Sequence, residues 1–159
     1  MLSAPRFLLL FSLSVLTAVT VQARLGEKLD QIKGRFGVPA GSPRTNVWVW
    51  YFEVQDGEVL YTVTFDEKGQ SIAEGLKPVK QALFSRELAD SFIGSETEPY
   101  KDSKTLRHLT AGEKYNFGGK EFVCGKQEYV VVDEANRFLL VLSREGIPSI
   151  IVVRPEILR

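Results

Sequence analysis

The sequence predicts an α+β fold, an antiparallel sheet meander with two helices packed on one face. Three observations carry that expectation. Residues 46–65, NVWVWYFEVQDGEVLYTVTF, run aromatic and aliphatic residues around an Asp56-Gly57 pair, the strongest short hairpin signal. Two other segments place apolar residues at helical spacing. The last third strings short runs of Val, Ile, Leu and Phe between turn residues, as a meander does.

The first helical stripe is Leu25, Leu29, Ile32 and Phe36, spaced by four, three and four. It predicts a helix over 27–36, stopped by Gly37 and Pro39, the usual glycine cap followed by proline. Gly34 inside it costs about 1 kcal/mol relative to alanine, so this helix depends on packing.

A two-residue turn at Asp56-Gly57 would set Val54 opposite Val59, Phe52 opposite Tyr61, Trp50 opposite Val63 and Trp48 opposite Phe65. Every member of that face is apolar or aromatic. The other face pairs Glu53 with Leu60, Tyr51 with Thr62 and Val49 with Thr64, a mixed set. A one-residue slip would mismatch the two faces, so the tryptophan side is expected inward. Tyr51, Val47 and Val49 remain on the solvent-tolerant side.

Asp66–Ser71 turns the chain, and SIAEGLKPV predicts a third strand before Pro78. A second helix, broken or continuous, is expected between Val79 and Ile93, with its better half starting at Ser85. Ser85 is its N-cap, Leu88, Phe92 and Ile93 share one side, and Gly94 closes it. GSETEPYKDSK then reads as a polar loop, the most mobile stretch expected.

Gly118-Gly119 predicts a hairpin with Tyr115 opposite Phe122. EYVVVD, RFLLVLS and PSIIVVR continue the meander. A turn at Glu145-Gly146 sets Leu140 opposite Ile151 and Val141 opposite Ile150. Both faces of this last hairpin are apolar, which calls for cover on two sides or one face kept for a partner; coverage is the expectation. The order helix–hairpin, helix–strands suggests a tandem helix–hairpin repeat, sub-units 24–77 and 78–159 within a single domain 24–159.

Residues 1–23 have the form of an export leader. Arg6 precedes the uncharged apolar run from Phe7, and Val21-Gln22-Ala23 has the small-x-small pattern that a leader peptidase cuts. The run is short for a membrane span of ~20 residues. Cleavage is expected between Ala23 and Arg24, giving a periplasmic or extracellular product without a membrane span. Removing 23 of 159 residues leaves 136, enough for a sizeable core. Taking Arg6 from 20 basic residues leaves 19 against 20 acidic ones. That balance gives no general attraction for nucleic acid or anionic lipid.

Cys124 is the sole cysteine, so no intramolecular disulfide forms and no cysteine stands at the cleavage point to carry a lipid. No helix N-terminus or histidine is evident beside it, and a buried, inert thiol is expected. His108 is the sole histidine. Metal-ligand pairs such as HExxH or CxxC do not occur, nor does a G-x-S-x-G elbow. Asp66-Glu67 and Asp133-Glu134 lie at predicted turns, where adjacent carboxylates are solvated. FGGKEF has glycines and a lysine but not the phosphate-loop spacing. RTNVWVWY mixes Arg44 with aromatics, as single-strand nucleic-acid binders do, yet its tryptophans belong inside. No catalytic, cofactor-binding or metal-binding residue is assigned, and no cofactor is expected.

LGEKLDQIKGRFGVP, VWYF and VTFDEKGQSI, within Leu25–Ile72, together resemble the SmpA/OmlA type of bacterial envelope module. Streptomycete β-lactamase inhibitor protein is similar in build. The chain also resembles small exported bacterial proteins with a GE…Q…R-aromatic-G-x-P signature after the leader. The resemblance implies an α+β module used for protein contacts, with no cofactor. The envelope-assembly members carry a lipid-anchoring cysteine that this chain lacks, and no functional residue is carried over. The expected function is that of a non-enzymatic exported binding or structural protein of the bacterial envelope, its partner another protein. Alternatives are an inhibitor of a secreted enzyme and a small hydrolase using His108. For contacts, Tyr51 with Val47 and Val49, the Gly94–Lys104 loop and the open face of the last hairpin are the candidates.

Overall fold

A computed structural model describes residues 24–55, 57–80 and 85–158. The expected leader and its cleavage bond lie outside this range, as do residues 81–84 at the expected start of the second helix. The first helix, α1 (Leu29–Phe36), buries Ile32 completely. Gly37 ends it with φ +75°, and its amide donates to the Lys33 carbonyl at 2.8 Å. That left-handed turn is one only glycine takes readily.

The strands are β1 (Gly41–Arg44), β2 (Val47–Val54), β3 (Gly57–Phe65), β4 (Ser71–Pro78), β5 (Leu106–Leu109), β6 (Lys114–Phe117), β7 (Lys120–Val123), β8 (Glu128–Asp133), β9 (Phe138–Ser143) and β10 (Ser149–Val153). Eight of them form one antiparallel sheet in the order β1-β2-β3-β4-β10-β9-β8-β5, while β6 and β7 pair separately. The sheet is thus two four-stranded meanders, β1–β4 and β5-β8-β9-β10, each preceded by a helix and joined through β4 and β10. The α+β class stands.

The register of the first hairpin differs from expectation. Val54 pairs with Gly57, Phe52 with Val59, Trp50 with Tyr61 and Trp48 with Val63. The shift is two residues, a full side-chain period, so the same residues still face inward. Trp50, Val59, Tyr61 and Val63 are buried, and Trp48 is half-buried beneath the Lys33 ammonium. The Trp50 indole donates to the Gly37 carbonyl at 3.1 Å, tying the sheet to the end of α1.

The last hairpin departs by one residue: Val141 pairs with Ile151 and Leu142 with Ile150, around a loop at 144–148. Here the slip exchanges faces. Apolar residues on both faces of β9 leave the pattern indifferent between the two registers. The Gly118-Gly119 hairpin matches expectation, with Tyr115 opposite Phe122. Two short outer strands, β1 and β5, were not foreseen.

The second helix, α2 (Arg86–Thr97), starts as expected, with Ser85 Oγ accepting from the Leu88 amide at 3.1 Å. Its end does not. Gly94 keeps the helix going to Thr97, and a 3₁₀ turn spans Glu98–Tyr100. The polar side chains that suggested a loop are satisfied within the helix: Ser95 Oγ donates to the Phe92 carbonyl and Thr97 Oγ1 to that of Ile93. Tyr100 then packs on Phe138, ring centres 4.9 Å apart.

Both helices lie against one sheet face, where Ile32, Phe92, Tyr61, Leu140 and Ile150 form the main core. The other face of β8 and β9 is covered by the β6–β7 hairpin, enclosing Phe117, Cys124, Val130, Val132, Leu139 and Val141. Coverage on two sides is what the apolar β9 required.

Candidate functional site

The covering hairpin stops short of half the sheet. Across β2, β3, β4 and β10 the residues that point away from the helices include Val47, Val49, Tyr51, Leu60, Thr62, Thr64, Gly75 and Ile151. Tyr51 is 50 % exposed and Ile151 44 %. A shallow cleft of about 270 Å³ runs along this face, with Thr62, Thr64, Lys77 and Ile151 among its walls and Gly75 in its floor. The alternation of β2 and β3 had placed Tyr51, Val47 and Val49 here. Ile151 comes from the last hairpin, whose open face was also a candidate; Gly75 was missed, its signal being a glycine within an otherwise regular strand, which leaves a gap in the side-chain layer.

On the opposite face the structure gathers a buried acid cluster. In β4, Glu74 lies on the core side between Ile72 and Leu76, fully enclosed. Tyr61 Oη donates to Glu74 Oε2. Ser71 Oγ can donate to Glu74 Oε1 at 2.9 Å or to the Arg24 carbonyl at 3.2 Å. The same hydroxyl accepts from the amides of Gly26 and Glu27. Burial pushes the Glu74 carboxyl up to about 7, against the pull of these hydrogen bonds. Glu96, on the buried stripe of α2, is raised well above the usual carboxylate range, first by burial and then by the neighbouring Glu74. Tyr61 is raised by burial and by Glu74. Arg35, paired with Glu27, is the nearby cation that favours the ionised forms. Burial, and for Glu96 the neighbouring Glu74, favours the protonated form of each carboxyl.

Sequence reasoning overlooked this cluster, although its signals were present. Glu74 holds an inward position in β4, and Leu88, Phe92 and Glu96 recur every four residues. Taking Gly94 as a helix stop hid the third member.

His108 is exposed on the outer strand β5, its ring 5.1 Å from that of Tyr129. Among the described residues no serine, cysteine or carboxylate is hydrogen-bonded to it, and a triad is not assembled there. A wider cleft of about 770 Å³ between α2 and the ends of β8 and β9 includes Tyr129, Arg86, Asp90 and Arg144 but not His108. Cys124 is buried as expected, its thiol pushed up by burial and by Glu128. Asp133 does not sit solvated at a turn. Burial would raise its carboxyl, yet hydrogen bonds from Thr105 Oγ1 (2.6 Å) and Asn136 outweigh that and hold it at about 2. No cluster of three or more His, Cys, Asp or Glu suited to a metal occurs among the described residues. No helix among them is long and apolar enough to cross a membrane.

No protein-family model and no curated protein matches this chain. Among solved structures, a cysteine-rich secretory protein from Staphylococcus aureus is similar over 84 % of this chain and 46 % of its own, at 9 % identity and a TM-score of 0.41. This chain therefore spans less than half the length of that neighbour.

Proposed function

We propose that this chain is a non-enzymatic, exported binding protein of the bacterial envelope that engages another protein through the uncovered sheet face. The observation that supports this reading most directly is the asymmetry of cover. One face of the sheet is sealed over β8 and β9 but open over β2, β3, β4 and β10, where Tyr51 and Ile151 stand exposed. Both outer strands are poor templates for further strand pairing. β1 has four residues with Pro43 and an irregular register, and β5 has four with Arg107 and His108 exposed. Such outer strands discourage edge addition, which leaves the face. The leader-like residues 1–23 support a periplasmic or extracellular location. The paired meanders, each following a helix, support a tandem repeat as the origin of the sheet, in keeping with the SmpA/OmlA-like pattern of residues 25–72.

The test is capture from the envelope fraction of an exporting bacterium with the full chain as bait. Thr62→Lys and Ile151→Lys alter the face, and Lys68→Glu in the β3–β4 turn is the control. One stoichiometric protein retained by the native chain and the control, and lost at least tenfold by both face variants, is the expected result. Retention by the face variants would refute the reading. Loss of a captured enzyme's activity would narrow it to an inhibitor.

A further inference from the structure

The segment that opens the described chain is held tightly. The Gly26 amide donates to both the carbonyl and the hydroxyl of Ser71 at 2.8 Å, and the Ser71 amide donates to the Glu27 carbonyl at 2.8 Å. Gly26 has φ +94°, and a Cβ there would lie 3.0 Å from the Arg154 guanidinium, so the segment is also hemmed in from β10. Leu25 is buried. Arg24 and Leu25 thereby border a cleft of about 310 Å³ whose other walls include Glu96, Gln31 and Tyr100.

Glu96 is only 2 % exposed, and its Oε1 has no hydrogen-bond partner among the described residues. The Leu25 amide favours its ionised form. An unpartnered carboxyl oxygen at such depth is costly; burial and Glu74 favour its protonated form, and a neighbouring cation would let it ionise. Neither Glu96 nor Arg24 takes part in a salt bridge among the described residues, and Arg35, the cation that acts on Glu96, is committed to Glu27.

We propose that the cleft beside Glu96 seats this chain's own α-amino group: cleavage after Ala23 frees an ammonium on Arg24 that pairs with the buried carboxylate. Consecutive backbone nitrogens lie roughly 3–3.6 Å apart by covalent geometry. Arg24, Leu25 and Glu96 line the same cleft, and the Arg24 nitrogen is one residue's step from the Leu25 amide. Hydrolysis of the Ala23–Arg24 bond by a leader peptidase consumes one water. The carboxylate stays on Ala23, and Arg24 keeps the amine, protonated at neutral pH. In the uncleaved chain the same nitrogen is a neutral amide, and burial with Glu74 favours the protonated form of Glu96. Processing would thus complete the core electrostatically. The charged and titratable groups around this pair are Glu74 from β4, Tyr61 from β3, Glu27 ahead of α1, Arg35 from α1, Arg154 beyond β10 and the Arg24 side chain. This inference rests on the export part of the reading above, not on the uncovered face.

The test expresses the full chain in an exporting host and isolates the processed product. Mass spectrometry reads its first residue, and NMR of the isotope-labelled α-amino group reads its titration. The expected product begins at Arg24, and its amine titrates above about 9, against an ordinary ~7.7–8.0. Glu96→Gln returns the amine to the ordinary range. Arg24→Gln does not, which separates the amine from the guanidinium. An alanine inserted between Ala23 and Arg24, which displaces the amine by one residue when cleavage stays after Ala23, also abolishes the shift. A product beginning elsewhere would sink the cleavage site and the inference together. A product beginning at Arg24 with an ordinary amine, unchanged by Glu96→Gln, would sink the inference alone.

Discussion

Glu74 and Asp133 are both buried carboxyls, yet their surroundings move them in opposite directions. Glu74 is pushed up to about 7 because burial outweighs the hydroxyls of Tyr61 and Ser71. The folded chain holds that proton more tightly than the unfolded one, so the associated stability is present below the ordinary carboxyl value of 4.5 and lost as pH rises through about 7. Glu74→Gln should flatten the fall in melting temperature between pH 5 and 8, whatever its absolute stability. Asp133 is held at about 2 despite its burial, by Thr105 and Asn136. Its contribution is present above the ordinary aspartate value of 3.8 and disappears as pH falls through about 2. Asp133→Asn should destabilise the protein at pH 7 by about 2 kcal/mol, the worth of hydrogen bonds to a charged group, and much less at pH 2. Urea unfolding at the two pH values measures it. Neither assignment was legible beforehand. Asp133 reads as a turn residue because Glu134 and Asn136 follow it, and its enclosure depends on the separate strand β5.

At the level of elements, a visible local cause usually meant a correct expectation. Ser85 caps α2 as its position predicts, and Ser85→Ala should cost about 1 kcal/mol in chemical unfolding. Gly37 closes α1 for the reason that glycine closes helices, its positive φ. Gly94 lacks that conformation and leaves α2 intact. Register follows the same logic. In the first hairpin one face is apolar and the other mixed, so the chain can shift by two residues but not by one. In the last hairpin both faces are apolar, so a one-residue difference carries no hydrophobic penalty. The contrast explains why the inward position of Trp50 was readable while the pairing of Val141 was not.

For the molecule as a whole, the helix face of the sheet and the β2 part of its open face were readable from periodicity, whereas the extent of the open face was not. Its extent depends on where the β6–β7 hairpin lands, a long-range event that local spacing does not encode. Gly75 offers a way to separate folding from binding on that face. A Cβ there would meet Ile151 Cγ2 at 3.5 Å and the Ile150 carbonyl at 3.6 Å, ordinary contacts. Gly75→Ala should therefore raise stability by about 0.5 kcal/mol, since it restricts the unfolded chain. It should also weaken any partner seated in the cleft, a combination that calorimetric melting and a binding titration can register side by side.

The enclosure of Cys124 beneath the β6–β7 hairpin has a practical corollary. With a single sulfhydryl in the whole sequence, modification by an aromatic disulfide reagent reports one event, the lifting of that flap from the strands below. Under native conditions the reaction should proceed at the rate set by local opening and saturate at one equivalent. Phe117→Ala, which loosens the flap's apolar anchor, should accelerate it while the Trp50 fluorescence of the distant half stays unchanged. The chain thus carries its own chemical clock for the breathing of one layer.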